Sequence, residues 1–379
     1  MTKSATDRVV DDVFDASVLA NRATSALRAY DPGHDLPSLR KRFGADIAEL
    51  GSNENPLGPS PLAIEAMRNA LGETFRYPDP RGLALKNALG AKLGVGVDRI
   101  ALGNGSHELL IQIAQCFVDA TRSVVFSEFG FAVFPIATAA AGAIALRVPA
   151  LARTHATAPF GHDLDAMAAA VRADTRLLYV ANPNNPTGSW FDDAALDRFV
   201  ARIPRDVLVV VDEAYAEYVD APGLSSALRL ADRHPNLIVT RTFSKAYGLA
   251  GLRVGYLIAH PGVVAVIERL RESFNVNNVA LAAAEASLGD AAHLAKAIAF
   301  NRAEREWLAG ALTQRGYRVL PSQTNFLMVD LGRPAGDFEK HLFERGVIVR
   351  PMGGYGLADT VRISIGSRAE NQRLLDALP

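Results

Sequence analysis

Five consecutive apolar residues, Val207-Leu208-Val209-Val210-Val211, run straight into the acidic pair Asp212-Glu213. A strand with one wet face alternates apolar and polar residues. A run without alternation is buried on both faces, which calls for helices above and below the sheet. Similar short runs recur at residues 123–126, 143–148, 177–181, 237–240 and 254–258, separated by stretches of helical spacing. Strands alternating with helices from about residue 83 to 270 predict a mostly parallel central sheet flanked by helices.

Around this block the texture differs. Gly51-Ser52-Asn53-Glu54-Asn55-Pro56-Leu57-Gly58-Pro59-Ser60-Pro61 breaks regular structure and starts a helix at Pro61. Residues 62–71 have helical spacing, and Arg76-Tyr77-Pro78-Asp79-Pro80-Arg81-Gly82 reads as a rigid loop. Arg40-Lys41-Arg42 reads as a solvated helix face. Beyond Pro261, a helical segment at 263–273 leads to amphipathic helices at 279–290 and 291–315. Short strands follow at 318–320, 325–329, 347–350 and 361–364. The expected division is an N-terminal arm with part of a small domain (1–60), a large α/β domain (61–272) and a small C-terminal α+β domain (273–379). A chain of 379 residues is long enough for two such cores.

The uncharged run 129–146 raises the question of a membrane span. It contains Pro135, Gly130 and Gly142 and is mostly alanine in its second half, so it reads as a loop, a helix and a buried strand. Lysine plus arginine number 40 against 41 acidic residues. That balance supplies no basic field to draw the chain to nucleic acid or acidic lipid. The single cysteine, Cys116, permits no intrachain disulfide and fits a reducing, cytoplasmic setting; it sits in an apolar run and reads as core. Residues 1–22 lack the apolar centre of a signal peptide.

Three of the expected strands end in informative polar residues. Residues 177–181 lead into Asn182-Pro183-Asn184-Asn185-Pro186-Thr187-Gly188, residues 207–211 into Asp212-Glu213-Ala214-Tyr215, and residues 237–240 into Arg241-Thr242-Phe243-Ser244-Lys245. Open α/β sheets gather ligands beyond the carboxyl ends of their strands. Each segment alone has a plainer reading, as a turn, a helix cap, or a surface lysine after a strand. Together they would place asparagine, acid, phenol and amine at neighbouring strand ends. A lysine there is poorly solvated, which lowers its pKa and suits it to attack a carbonyl and then shuttle protons. Thr242, Ser244 and Arg253 read as a phosphate cradle. Gly103-Asn104-Gly105-Ser106-His107 precedes an apolar helix and offers backbone N–H groups to the same anion.

With these motifs in order, the chain resembles the fold-type I pyridoxal-5′-phosphate aminotransferases, and within them the histidinol-phosphate aminotransferases. The motifs that carry the resemblance are Ser52 to Ser60, Tyr77-Pro78-Asp79, Asn184 to Gly188, Asp212 to Tyr215, Ser244-Lys245 with Arg253, and Val361-Arg362-Ile363-Ser364-Ile365-Gly366. It implies the PLP-dependent transferase fold type I, pyridoxal 5′-phosphate as cofactor, and no metal. Lys245 is then the cofactor's imine partner and the base for the proton shift, and Asp212 pairs with the pyridinium nitrogen. Asn185 and Tyr215 bind the phenolic oxygen, and Phe131 stacks on the ring. Ser106, His107, Thr242, Ser244 and Arg253 hold the phosphate, with Tyr77 reaching the neighbouring subunit's cofactor in a homodimer. Tyr30, Asn55, Arg350 and Arg362 are implied in substrate binding. The family often carries Asp or Asn at position 107 and Tyr at 131.

The implied reaction is transfer of an amino group between histidinol phosphate and 2-oxoglutarate or glutamate, in histidine biosynthesis. An aromatic amino acid aminotransferase and a threonine-phosphate decarboxylase keep the cofactor and change the substrate. A non-catalytic binder of the same fold is disfavoured by the joint presence of Lys245, Asp212 and Arg253.

Overall fold

The computed structural model describes residues 19–25, 27, 35–44 and 47–379; Tyr30 lies outside the described residues. A seven-stranded sheet forms its centre. We number the strands β1 (Ile100–Gly103), β2 (Ser123–Ser127), β3 (Ile144–Val148), β4 (Thr175–Ala181), β5 (Leu208–Asp212), β6 (Leu237–Thr242) and β7 (Gly255–Ile258). Their order across the sheet is β1-β7-β6-β5-β4-β2-β3. Only β7 runs against its neighbours.

The unbroken apolar runs are buried as their pattern requires. Val209 and Val211 of β5 face one core cluster with Leu178, Val180 and Val239; Val210 faces another with Leu177, Tyr179 and Ile238. Helices cover both clusters, so the sheet has two dry faces. The run at 129–146 contains the helix Val133–Ala140 and then β3. β3 is not the buried strand its composition suggests. It is the sheet's edge, with one neighbour, and Ile144 is 41% exposed while only Val148 is buried. β1 carries no strand signal in the sequence reading, being four residues between glycine-rich turns.

The helix Pro61–Ala70 starts as expected, with Pro61 in its first turn and the Ser60 hydroxyl accepting from Ala63 N. It packs against the helix Asn278–Gly289, whose Ala280, Ala283 and Ala284 enter the core of the central sheet. The long helix Ala291–Gln314 begins against that same core at Leu294 and ends with Leu308 and Leu312 in a separate one. We propose that the two lobes part along this helix rather than near residue 272.

The second core lies under a four-stranded antiparallel sheet ordered Arg350–Pro351, Thr360–Ser364, Phe326–Asp330, Arg318–Val319. The N-terminal strand Ala48–Glu49 pairs in parallel with Val347–Ile348, tying the early chain to the C-terminal lobe. Arg40, Lys41 and Arg42 lie exposed on the helix Leu36–Phe43. Cys116 is half-buried, and burial pushes its thiol above the ordinary range. Among the described residues, no helix is long and apolar enough to cross a membrane.

Candidate active site

The carboxyl ends of β1, β4, β5 and β6 and the start of antiparallel β7 meet at one edge of the sheet. They open on a cavity of about 270 Å³ lined by Asp212, Tyr215, Asn185, Lys245, Phe131 and Arg362, with Ser106, His107, Thr242, Ser244 and Arg253 at its sides. Strand alternation sorts the side chains at this edge. Thr240 points to Asp212 and donates its hydroxyl to Oδ1 at 2.9 Å. The next residue, Arg241, points the other way and pairs with Glu213 at 2.7 Å. Asp212 thus stands alone as the acid at the cavity floor. Burial pushes its carboxyl up to about 7, against the opposing bond from Thr240.

Lys245 follows β6 on a turn held by local hydroxyls: Thr242 Oγ1 donates to Ser244 Oγ at 2.9 Å and accepts from Ser244 N at 3.1 Å. The Lys245 ammonium donates to the carbonyl of Asn53 at 3.0 Å. Burial, with Arg362 next in effect, holds its pKa down to about 8. The Tyr215 hydroxyl accepts from Asn53 Nδ2 at 3.1 Å, and burial raises the phenol well above its usual range.

The anion cradle is built by the absence of side chains. Gly105 has φ +85°, and a β-carbon there would overlap Nη2 of Arg253. A β-carbon on Gly255 would lie 2.6 Å from the backbone nitrogen of Ser106, the first residue of the helix Ser106–Phe117. Glu108 fixes the turn by accepting from Asn104 N at 2.6 Å and Asn275 Nδ2 at 2.7 Å. Arg253, itself at φ +56°, reaches Ser244 Oγ at 3.3 Å. His107 is held below its ordinary pKa by burial and by Arg253, so it adds little charge of its own.

On the far wall Arg362 donates to Asn185 Oδ1 at 2.8 Å and to the Gly51 carbonyl at 2.6 Å. The cavity therefore offers an amine, a buried acid and the guanidinium groups of Arg253 and Arg362. That set suits a molecule with an amine or carbonyl centre and two anionic groups.

Three of the expected site residues stand elsewhere in this chain. Tyr77 is 82% exposed and stacks on Phe274 with ring centroids 4.6 Å apart. Asn55 spends its amide on the Ala246 carbonyl (3.0 Å) and accepts from Leu57 N (3.0 Å), bracing the lysine segment from outside the cavity. Arg350 lies directly opposite Arg362 in the antiparallel pair, off the cavity lining. Asn53 was not singled out by the sequence, yet it touches Lys245, Tyr215 and Ser364. Its only signal is its place in the Ser52–Asn55 motif.

The family model for aminotransferase class I and II matches residues 45–378. Histidinol-phosphate aminotransferase 2 of Pseudomonas aeruginosa is 47% identical over 367 residues, covering 96% of this chain and 98% of its own length. Histidinol-phosphate aminotransferase 1 of Nitrosococcus oceani is 45% identical over 361 residues, covering 95% of this chain and 96% of its own. Among solved structures, the histidinol-phosphate aminotransferase of Sinorhizobium meliloti, in complex with pyridoxal-5′-phosphate, superposes with a TM-score of 0.84 at 34% identity, covering 99% of this chain and 98% of its own.

Proposed function

Because the chain belongs to the class I and II aminotransferases, we propose that it is a histidinol-phosphate aminotransferase using pyridoxal 5′-phosphate and passing the amino group to 2-oxoglutarate. One observation carries the reading: a buried amine and a buried acid share a cavity that two arginines, Arg253 and Arg362, also line.

The residues fit the cofactor. The cradle that close packing at Gly105 and Gly255 brings together, with Thr242, Ser244, Arg253 and the N–H groups of Ser106 and His107, suits its phosphate. Asp212 suits its ring nitrogen, Asn185 and Tyr215 its phenolic oxygen, and Phe131 its ring face. Bound there, the cofactor supplies an electrophilic carbon and a sink for the electrons released at the substrate's α-carbon. Asp212, held at the cavity floor by Thr240, presents a carboxyl group whose charge a ring N–H⁺ would restore. Lys245, neutral in appreciable fraction near pH 8, takes the proton from the α-carbon side and returns it. Asn53 keeps the Tyr215 hydroxyl and the Lys245 amine on one framework. Arg362 orients the anionic group of the incoming molecule, with Asn185 fixing the guanidinium plane.

The same reading makes the enzyme a homodimer. Leu71, Phe75, Tyr77, Leu270 and Phe274 are exposed large apolar residues. A second copy covering this face would carry Tyr77 toward the neighbour's anion cradle. Arg350 lies outside the cavity lining but opposite Arg362 on the same face of the strand pair, and with Tyr30 it would serve the substrate's far end. We place the enzyme in the cytoplasm, where a lone cysteine stays reduced.

The test is steady-state specificity of the holoenzyme, with 2-oxoglutarate as acceptor, for histidinol phosphate beside phenylalanine. A kcat/KM at least about tenfold higher for histidinol phosphate supports the reading. Comparable values make it an aromatic transaminase, and carbon dioxide release without an oxo acid makes it a decarboxylase.

A further inference from the structure

The cavity has a second carboxylate that neither the cradle nor the amine-transfer machinery uses. Glu54 lines it together with Lys245 and Arg362. It is exposed, and among the described residues its carboxylate has no hydrogen bond or salt bridge. Its backbone, in contrast, is fixed. The carbonyl of Glu54 accepts from Asn325 Nδ2 at 3.2 Å. On one side stands Asn53, at φ +56° with its N–H on Ser364 Oγ at 2.7 Å; on the other is Asn55, anchored to Ala246. With the backbone already fixed at the mouth of the cavity, accepting a donor costs only the freedom of the Glu54 side chain itself.

No side chain of the cavity pairs with it at hydrogen-bond or salt-bridge distance, and the Arg362 guanidinium donates to Asn185 and Gly51. The groove on its other side adds Glu49, whose burial and nearness to Glu54 both raise its carboxyl pKa. Glu54 and Lys245 line the same cavity, and the carboxylate's charge works against the burial that lowers the amine's pKa.

We propose that Glu54 is a specificity-determining residue that accepts a ring N–H from an imidazole-bearing amine and gives nothing to a phenyl ring. This deepens the histidinol-phosphate reading and rests on it for the substrate class. A heteroaromatic N–H, charged or neutral, gains a charge-assisted bond at Glu54, whereas a hydrocarbon ring must desolvate the carboxylate without return.

The test uses two non-reacting acids that compete with glutamate for the holoenzyme, 3-(imidazol-4-yl)propionate and 3-phenylpropionate. Cofactor absorbance and circular dichroism first establish that each variant is folded and loaded. Glu54→Gln should weaken the imidazole acid by about tenfold and the phenyl acid by less than about twofold. Glu54→Asp, charged but shorter, should lose less than Glu54→Gln. Equal losses for both acids, or no loss for the imidazole acid in either variant, overturn the proposal. Failure of the underlying reading shows separately, as a wild-type holoenzyme whose kcat/KM for histidinol phosphate is no higher than for phenylalanine.

Discussion

The amine of Lys245 rests on the carbonyl of Asn53 at 3.0 Å, while the Asn53 side chain holds the Tyr215 hydroxyl at 3.1 Å. One residue from the N-terminal segment thus sets the positions of two groups carried by the central sheet. Asn53 is 2% exposed and sits at φ +56°, a conformation that asparagine tolerates and most residues do not. Asn53→Gly keeps the backbone and loses only the amide, whereas Asn53→Ala loses both. Denaturant unfolding should show Ala to be about 1 kcal/mol less stable than Gly, the reverse of the order expected in a helix. Both should lower kcat by about tenfold through the loosened Tyr215.

Asp212 gives a stability signature in the cofactor-free protein. Its carboxyl titrates near 3.8 when unfolded and near 7 when folded. Between those values the native state binds more protons than the unfolded state, so this group's contribution to stability falls as pH rises and levels off above about 7. Asp212→Asn removes that dependence. At pH 8 the cofactor-free variant should be more stable than wild type by about 1–3 kcal/mol, while binding the cofactor more weakly. Thermal melts of both proteins at pH 5 and pH 8 check the sign.

The lowered Lys245 pKa predicts how loading responds to pH. With a value of about 8, roughly a tenth of the amine is neutral at pH 7 and most of it at pH 9. The rate at which apoprotein takes up pyridoxal 5′-phosphate should rise about tenfold over that interval and then flatten. An ordinary lysine would keep gaining close to tenfold per pH unit to about pH 10. Stopped-flow absorbance distinguishes the two profiles.

Gly255 is a steric prediction. A β-carbon there would lie 2.6 Å from Ser106 N and 2.8 Å from the Gly105 carbonyl carbon, so Gly255→Ala must displace the helix start from β7. Cofactor affinity should fall by about 30-fold or more, and added inorganic phosphate should compete less well than in wild type. Equilibrium dialysis measures both.

Much of this site could be read from the chain because its residues follow strands whose burial is written in consecutive valines and leucines. β5 delivers Asp212, and β6 delivers Thr242, Ser244 and Lys245, to one sheet edge. The edge strand β3 misled because apolar content alone does not distinguish a central strand from one with a single neighbour. Asn53 escaped notice because its importance depends on Tyr215 and Ser364, which lie 162 and 311 positions away and meet it only in the folded protein. The helix Asn278–Gly289 looks like the start of the C-terminal lobe by texture. Its small alanines instead let it lie close against the helix Pro61–Ala70 and the central core.

The central claim is that one amine, that of Lys245, holds the cofactor. Borohydride reduction of the loaded protein, followed by proteolysis and mass spectrometry, tests it directly, because reduction fixes the cofactor on the lysine that carries it. The account predicts the added mass on the peptide containing Lys245, and none in Lys245→Ala. Modification of another lysine, or an unmodified Lys245 peptide from fully loaded protein, would contradict it.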